Sequence, residues 1–265
     1  MAAILLYHSV ASEVRDAQLQ IAPSTLVRHL QWCQDLGYEV ASLSNVLKYS
    51  SERLVAVTFD DGFASIQSVW PELKRRGIRP SVFLCPGMVG RENHWASAGR
   101  VRERLLDVRE LQRLRDEGML FACHGWDHRP FVGRTRQDMA KDLRLCEAWF
   151  QSSLGVMPRE FAWPFGHFDE AAIRAVGQDF EFALAIEPAW NEEVRPLALP
   201  RAVGTDSLSQ QEFADELELK LFVLDPEARR PFSFPTTERN GTIQPRVTLL
   251  ETRLPLDSQG PPTLQ

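Results

Sequence analysis

The sequence lacks any pair of cysteines at C-x-x-C spacing; its four, Cys33, Cys85, Cys123 and Cys146, lie far apart. That excludes a disulfide framework or a structural zinc knot and leaves thiols expected to be buried in a reducing compartment. Basic charge is also not in excess. With 30 Lys and Arg against 36 Asp and Glu, the net charge is −6 and the pI about 5.6, so neither nucleic acid nor an anionic membrane surface is an expected partner. No apolar run approaches the length of a membrane span. MAAILLYHSV has no charged start, long apolar region or cleavage site, so it reads as a first strand and the location expected is cytoplasmic.

What is present is a chain of 265 residues, 44% hydrophobic, with strands and helices alternating through about seven rounds. No internal repeat or linker interrupts them, which predicts one domain around a parallel sheet over 1–225. The first strand, Ala3 to Val10, carries His8 at its end. Helices are expected over Ser24 to Leu36, over SLSNVLKY, after Gly62 to Arg76, from the capping-box-like start at Asp107 and Glu110 to Gly118, over Thr135 to Leu154, in FDEAAIRAVG and in SQQEFADELELKLFVL. Further strands are expected at Tyr38 to Val40, Ser81 to Pro86, Glu160 to Gly166, in FEFALAIE and at Ala198 to Ala202. Trp95 lies in the long loop GMVGRENHWASAGR, as a sugar-stacking platform or as packing. Residues 226–265 are rich in proline and polar residues and are read as an irregular extension.

The chain is organised around RLVAVTFDDGF, Arg53 to Phe63. A β-rich apolar run ends in adjacent carboxylates, Asp60 and Asp61, followed by Gly62, which places both acids at the C-terminal end of a buried strand. In parallel α/β folds that rim is where chemistry collects. Asp also caps helices and suits turns, so the pair alone is ambiguous. MLFACHGWDHRP, Met119 to Pro130, repeats the design with His124 and His128. One carboxylate and two imidazoles form a three-ligand set that leaves a position open for water, the pattern of a catalytic zinc site, and the second aspartate is then free to act as a base. Cys123 adjoins His124, but neighbouring strand residues point to opposite faces, which argues against it as a ligand.

T-F-D-D-G at Thr58 to Gly62 and H-x-x-x-H at His124 and His128 resemble the first and second motifs of the NodB-like polysaccharide deacetylases, a carbohydrate-esterase family. The resemblance spans roughly residues 4 to 203. It implies a distorted (β/α)7-type barrel and one divalent ion, zinc first, with Co, Ni, Mn or Fe as alternatives, on Asp61, His124 and His128. It further implies Asp60 as general base and a water on the ion as nucleophile. The family's third motif corresponds to Ala162-Trp163-Pro164-Phe165, so the Phe165 backbone N–H is the expected oxyanion donor. A late L-x-H motif is missing, and LLYHSV matches relatives that open on L-x-Y-H, which makes His8 the expected general acid, near its ordinary pKa of about 6.5; His167 is the competitor. Ala162 stands where many members have a base-tuning arginine, Gly125 replaces a Ser or Thr, and the fourth motif has no clear match. Arg201 is a candidate for the missing cation. Trp163, Pro164, His167, Arg201 and Trp95 are the expected substrate-binding residues.

The implied substrate is an acetylated amino-sugar glycan or glycoconjugate. A binding protein that keeps the fold without turnover is the main alternative, and the intact set of Asp60, Asp61, His124 and His128 speaks against it. A metal-dependent sugar isomerase would want more carboxylate ligands.

Overall fold

The structure, a computed structural model, describes residues 1–96, 100–187 and 195–224; the expected extension at 226–265 lies outside them. In chain order the elements are β1 (Ala3–Tyr7), β2 (Ser9–Val10), β3 (Gln20–Ile21), α1 (Pro23–Asp35), β4 (Glu39–Ala41), α2 (Leu43–Lys48), β5 (Leu54–Phe59), α3 (Trp70–Arg75), β6 (Ser81–Leu84), α4 (Val108–Asp116), β7 (Leu120–Cys123), α5 (Arg136–Trp149), β8 (Glu160–Ala162), α6 (Glu170–Val176), β9 (Phe182–Leu184), β10 (Ala202–Val203) and α7 (Gln210–Leu219). Asp107 and Glu110 form the expected capping box at α4, and Ser209 with Glu212 forms another at α7. None of these helices is long and apolar enough to cross a membrane.

The strands run parallel in the order β10-β1-β5-β6-β7-β8-β9, with β4 also paired to β5, and curl into a barrel-like sheet wrapped by helices. Residue parity divides the core into two layers. Leu5, Tyr7, Val55, Val57, Phe59, Phe121, Cys123, Phe161 and Trp163 face the helices. Ile4, Ala56, Phe83, Ala122, Ala162, Leu184 and Leu199 fill the inside of the curl, which α2 supports with Leu43, Val46 and Leu47. The period of two continues past the strand ends and sends Asp60, His124 and His8 inward. Near-continuous apolar strands are what two covered faces require.

Several boundaries differ from the sequence reading. The first strand, expected over Ala3 to Val10, breaks at His8 into β1 and β2, and the closing helix, expected over SQQEFADELELKLFVL, ends at Leu219, beyond which Phe222 bridges Ala2. Three further differences lie elsewhere in the chain. The helix expected after Gly62, through Arg76, is a 3₁₀ turn, Ala64–Ser68, followed by α3. Pro71 has no N–H to give the Gln67 carbonyl, so a continuous α-helix cannot form there. At the end of α5, Phe150–Leu154 widens into a π turn. The last strand is not Ala198 to Ala202 as one unit. Leu199 bridges Leu184 of β9, whereas Ala202 and Val203 pair with β1, so this segment joins both ends of the curl and carries Arg201 between them.

Candidate active site

β5 delivers the two carboxylates. The Asp60 N–H donates to the Tyr7 carbonyl at 2.9 Å, which sets the end of β5 beside His8 at the end of β1. Asp61 then turns into the left-handed region at φ 71°, and Gly62 follows at φ 78°. A Cβ on Gly62 would lie 2.6 Å from Leu84 Cδ2, so a side chain there would meet both an unfavourable backbone conformation and a buried leucine that has to move aside. Among the described residues, three non-glycine residues have positive φ: Asp61, His128 at 59° and Phe165 at 59°. All three stand in the implied catalytic set, and strained backbone of this kind is kept where side chains must be aimed.

Asp61, His124 and His128 offer one ligand atom each within 4.8 Å of one another, and all three residues are buried. Asp61 Oδ1 lies 3.1 Å from His128 Nε2 and 3.5 Å from His124 Nε2. The Ala162 carbonyl sits 2.8 Å from His124 Nδ1. A carbonyl can only accept, so Nδ1 carries the hydrogen and Nε2 points at the carboxylate either as a lone pair or as a second N–H. Asp61 Oδ1 and His128 Nδ1 are buried without a hydrogen-bond partner. A lone pair and a carboxylate oxygen converging in a dry site repel unless a cation or proton lies between them. The donor set therefore fits a divalent ion, with imidazole and carboxylate suiting zinc. Without the ion the same field favours a proton there. Burial disfavours the imidazolium of His124, but Asp60 and Asp61 outweigh it and raise the pKa; Asp61, opposed in the same way by burial, is held far below the usual carboxylate range by His128 and His124.

Asp60 belongs to a second pair. Arg201 grips both its oxygens, Nη1 to Oδ1 and Nη2 to Oδ2 at 2.7 Å each, with Nε donating to the Ala185 carbonyl at 3.1 Å. Burial would push the Asp60 carboxyl upward; Arg201, with His124 behind it, overcomes this and holds the carboxyl below its ordinary value. Asp60 is thus an ionised carboxylate 3.8 Å from His124 Nε2 and outside the three-ligand cluster.

Several substrate-binding expectations are corrected here. Arg201 is fully buried with its guanidinium on Asp60, so it has no face for a glycan and its charge is committed to that carboxylate. Trp163 is fully buried, because it shares parity with Phe161 and points into the helix layer, where Nε1 donates to the Leu197 carbonyl at 2.9 Å. Pro164 is buried too, beneath Gly125, whose Cβ would meet its Cγ at 3.6 Å. Trp95 stacks on His128 with ring centroids 4.1 Å apart, which commits one of its faces to that imidazole and leaves it half-buried. Phe165 meets the same imidazole edge-on at 4.4 Å, is 42% exposed, and stacks loosely on the exposed His167 at 6.3 Å.

His8 is half-buried and lies within the field of Asp61, Asp60, Arg201 and His124. Its pKa is not the ordinary value expected from sequence. Burial lowers it, and the attraction of Asp61 and Asp60 does not fully offset that, so the resting imidazole is neutral at pH 7. All four cysteines are free and buried. Two partners went unseen in the sequence: the Ala162 carbonyl that orients His124, and Asp142 on α5, whose carboxylate accepts the Trp126 N–H at 2.7 Å. The one local sign of Asp142 was an acid on the apolar stripe of Met139, Leu143 and Cys146.

Replacing Arg201 with methionine is expected to destabilise the protein by about 3–5 kcal/mol at neutral pH, because it strands a buried carboxylate. Urea denaturation followed by circular dichroism measures this. Asp60 has a depressed folded pKa, so the stability it contributes is full above its unfolded value of about 3.9 and fades as pH falls through the folded one. The gap between wild type and Arg201→Met should therefore narrow below about pH 4, and a gap independent of pH would refute the electrostatic account.

A curled parallel sheet whose C-terminal rim brings a carboxylate and two imidazoles together, with a second ionised aspartate alongside, defines a NodB-like carbohydrate-esterase fold. The family model for polysaccharide deacetylase matches residues 48–182, and the chain belongs to that family. YxkH of Bacillus subtilis is 23% identical over 224 residues, covering 81% of this chain and 75% of its own. Among solved structures, IcaB from Ammonifex degensii superposes with a TM-score of 0.68 at 22% identity, over 82% of this chain and 96% of that one. The Streptococcus pyogenes deacetylase PplD, solved with acetate, gives 0.66 at 18% identity, over 81% and 97%.

Proposed function

We propose that this protein is a metal-dependent hydrolase that removes N-acetyl groups from an amino-sugar polysaccharide or glycoconjugate. The observation that carries the reading is the convergence of Asp61 Oδ1 with the Nε2 atoms of His124 and His128 beside an independently ionised Asp60. A divalent ion on the three ligands, zinc by donor chemistry, with Co, Ni, Mn or Fe as alternatives, supplies polarisation of the amide carbonyl and acidification of a water. Asp60, fixed in one rotamer by Arg201, takes the proton of the attacking water. A positioned base of this kind contributes about 10² to 10⁴ in rate. The Phe165 N–H donates to the developing oxyanion, a contribution on the order of 10² to 10³. The two N–H groups after it are occupied within the turn, Gly166 to the Trp163 carbonyl at 2.8 Å and His167 to the Pro164 carbonyl at 3.3 Å. His8 protonates the departing amine, and Trp95, Phe165 and His167 form the aromatic wall the sugar approaches.

Acetate release from a panel of acetylated glycans tests the reading, assayed after chelation and again after zinc or cobalt is restored. Release that depends on the restored ion is expected; none from any glycan with the ion present would overturn it. In the same assay His8→Ala should retain the ion and slow amide hydrolysis by at least about 10²-fold, while sparing an activated ester whose leaving group needs no proton. Because the acid must be protonated and the His8 pKa is lowered, the wild-type amide rate should fall as pH rises through a value below 6.5. The ester rate should not show that limb. A selective loss in His167→Ala in place of His8→Ala would transfer the role.

A further inference from the structure

The two histidine ligands are held by unequal means. His124 closes β7, its N–H bonded to the Leu84 carbonyl at 2.8 Å and its Nδ1 to the Ala162 carbonyl at 2.8 Å, so strand pairing and one hydrogen bond define its ring. His128 has neither a strand beneath it nor a partner for Nδ1. Its ring direction follows from the backbone of the four residues before it and from the rings of Trp95 and Phe165. That backbone is demanding. Gly125 sits at φ 75° and His128 at φ 59°, both in the left-handed region.

The peptide groups of Trp126 lie between these two turns and are pinned from both sides. The Trp126 carbonyl accepts from the Gly87 N–H at 2.7 Å, and its N–H donates to Asp142 Oδ1 at 2.7 Å. Asp142 is 3% exposed, in the middle of α5, and Arg134 Nη1 donates to its other oxygen at 2.8 Å. Arg134 also donates to the Asp138 carbonyl at 3.1 Å and lies over the Phe131 ring at 5.0 Å. Phe131 is in turn what a Cβ on Gly125 would meet, at 3.2 Å. At the position where many family members carry a hydroxyl within the motif this chain has Gly125, and a carboxylate from a neighbouring helix occupies the space beside it, 3.7 Å from that Cβ position.

We propose that Asp142 is a positioning residue for the metal site: its Oδ1, by holding the Trp126 N–H, sets the turn that aims His128 at Asp61. The proposal rests on the metal-site reading above, and Arg134 serves it by compensating the buried carboxylate. A merely structural Asp142–Arg134 pair predicts lost stability and nothing else.

Zinc affinity, measured by competition with a chelator at a temperature where circular dichroism shows every variant folded, separates the two roles. Asp142→Asn keeps an oxygen for the Trp126 N–H but loses the ion pair, and it should be less stable yet bind zinc within about threefold of wild type. Asp142→Ala removes the acceptor and should lose about 10- to 100-fold, the usual cost of removing an outer-shell partner. Should the alanine variant not fold, Asp142→Glu keeps the charge for Arg134 and displaces the oxygen, with a comparable loss expected. Leu111→Ala on α4 is the control for destabilisation alone. Native affinity in Asp142→Ala, or equal losses in the asparagine and alanine variants, would overturn the proposal. The metal-free protein supplies a second readout that stands even if the metal reading fails. Stacking on Trp95 shifts the His128 ring protons upfield; by NMR, Asp142→Ala should move them toward solvent values and Asp142→Asn should not. Unmoved protons in the alanine variant would also overturn it.

Discussion

His124→Ala or His128→Ala is expected to abolish retention of a divalent ion that the wild-type protein holds at about one equivalent after gel filtration. A site built on three donors within 4.8 Å of one another cannot lose one and hold the ion, since Asp61 with a single imidazole offers two protein donors. The two substitutions should differ in their structural cost. His124 anchors β7 to β8 through the Ala162 carbonyl, so its removal leaves a buried acceptor unpaired and should cost about 1–3 kcal/mol in the metal-free protein. His128 makes no such bond, and its removal relieves a non-glycine residue of positive φ only if glycine is placed there. Atomic absorption on the purified variants measures the first claim and metal-free urea denaturation the second. Stoichiometric ion in the double variant would remove the metal site from the account.

Asp60→Asn is expected to keep the ion and lose about 10² to 10⁴ in kcat, because the amide cannot take a proton from water. Asp61→Asn should instead weaken ion binding itself, since its Oδ1 faces both imidazoles. The neighbouring acids are thus distinguished by partner: Asp61 by the two histidines, Asp60 by Arg201. Asp60→Asn also leaves Arg201 without its counter-charge in a fully buried position, so stability should fall as well. Adding Arg201→Met to Asp60→Asn should recover part of that stability and none of the turnover, a coupling readable in a double-mutant cycle. Near-native turnover with ion bound in Asp60→Asn would exclude Asp60 as the base.

Much of the site was legible because it is written in local backbone rules. An apolar run of period two that stops at Asp60-Asp61-Gly62 marks a strand end, and so does the run ending in His124; a parallel sheet puts both ends on one rim. The same parity excludes Cys123, carries past the end of β1 to place His8 on the inner side, and puts Trp163 with Phe161 on the outward face. Pro164 draws attention to the turn, but the residue before it continues the outward face of β8, and only counting from Phe161 reveals that.

What the tertiary structure alone decided is which distant groups meet. Arg201 and Asp60 are 141 residues apart, and their pairing exists because the segment after β9 joins both edges of the curled sheet and turns Arg201 inward. The lowered His8 pKa depends on burial within that closure, which no motif expresses. Trp95 reaches His128 because the loop after β6 is stitched back to the turn that follows β5, the Leu106 N–H to the Gly62 carbonyl and the Ala64 N–H to the Arg104 carbonyl, both at 2.9 Å. Asp142 reaches the histidine turn because α5 packs against it. By itself the sequence determined the alternation of strands and helices, the rim and the donor types gathered there, since these follow from side-chain period and turn geometry over a few residues. Partners, burial and the pKa of each group depend on how the sheet closes, and the physical reason is that desolvation and ion pairing act through space, at distances that chain separation does not encode.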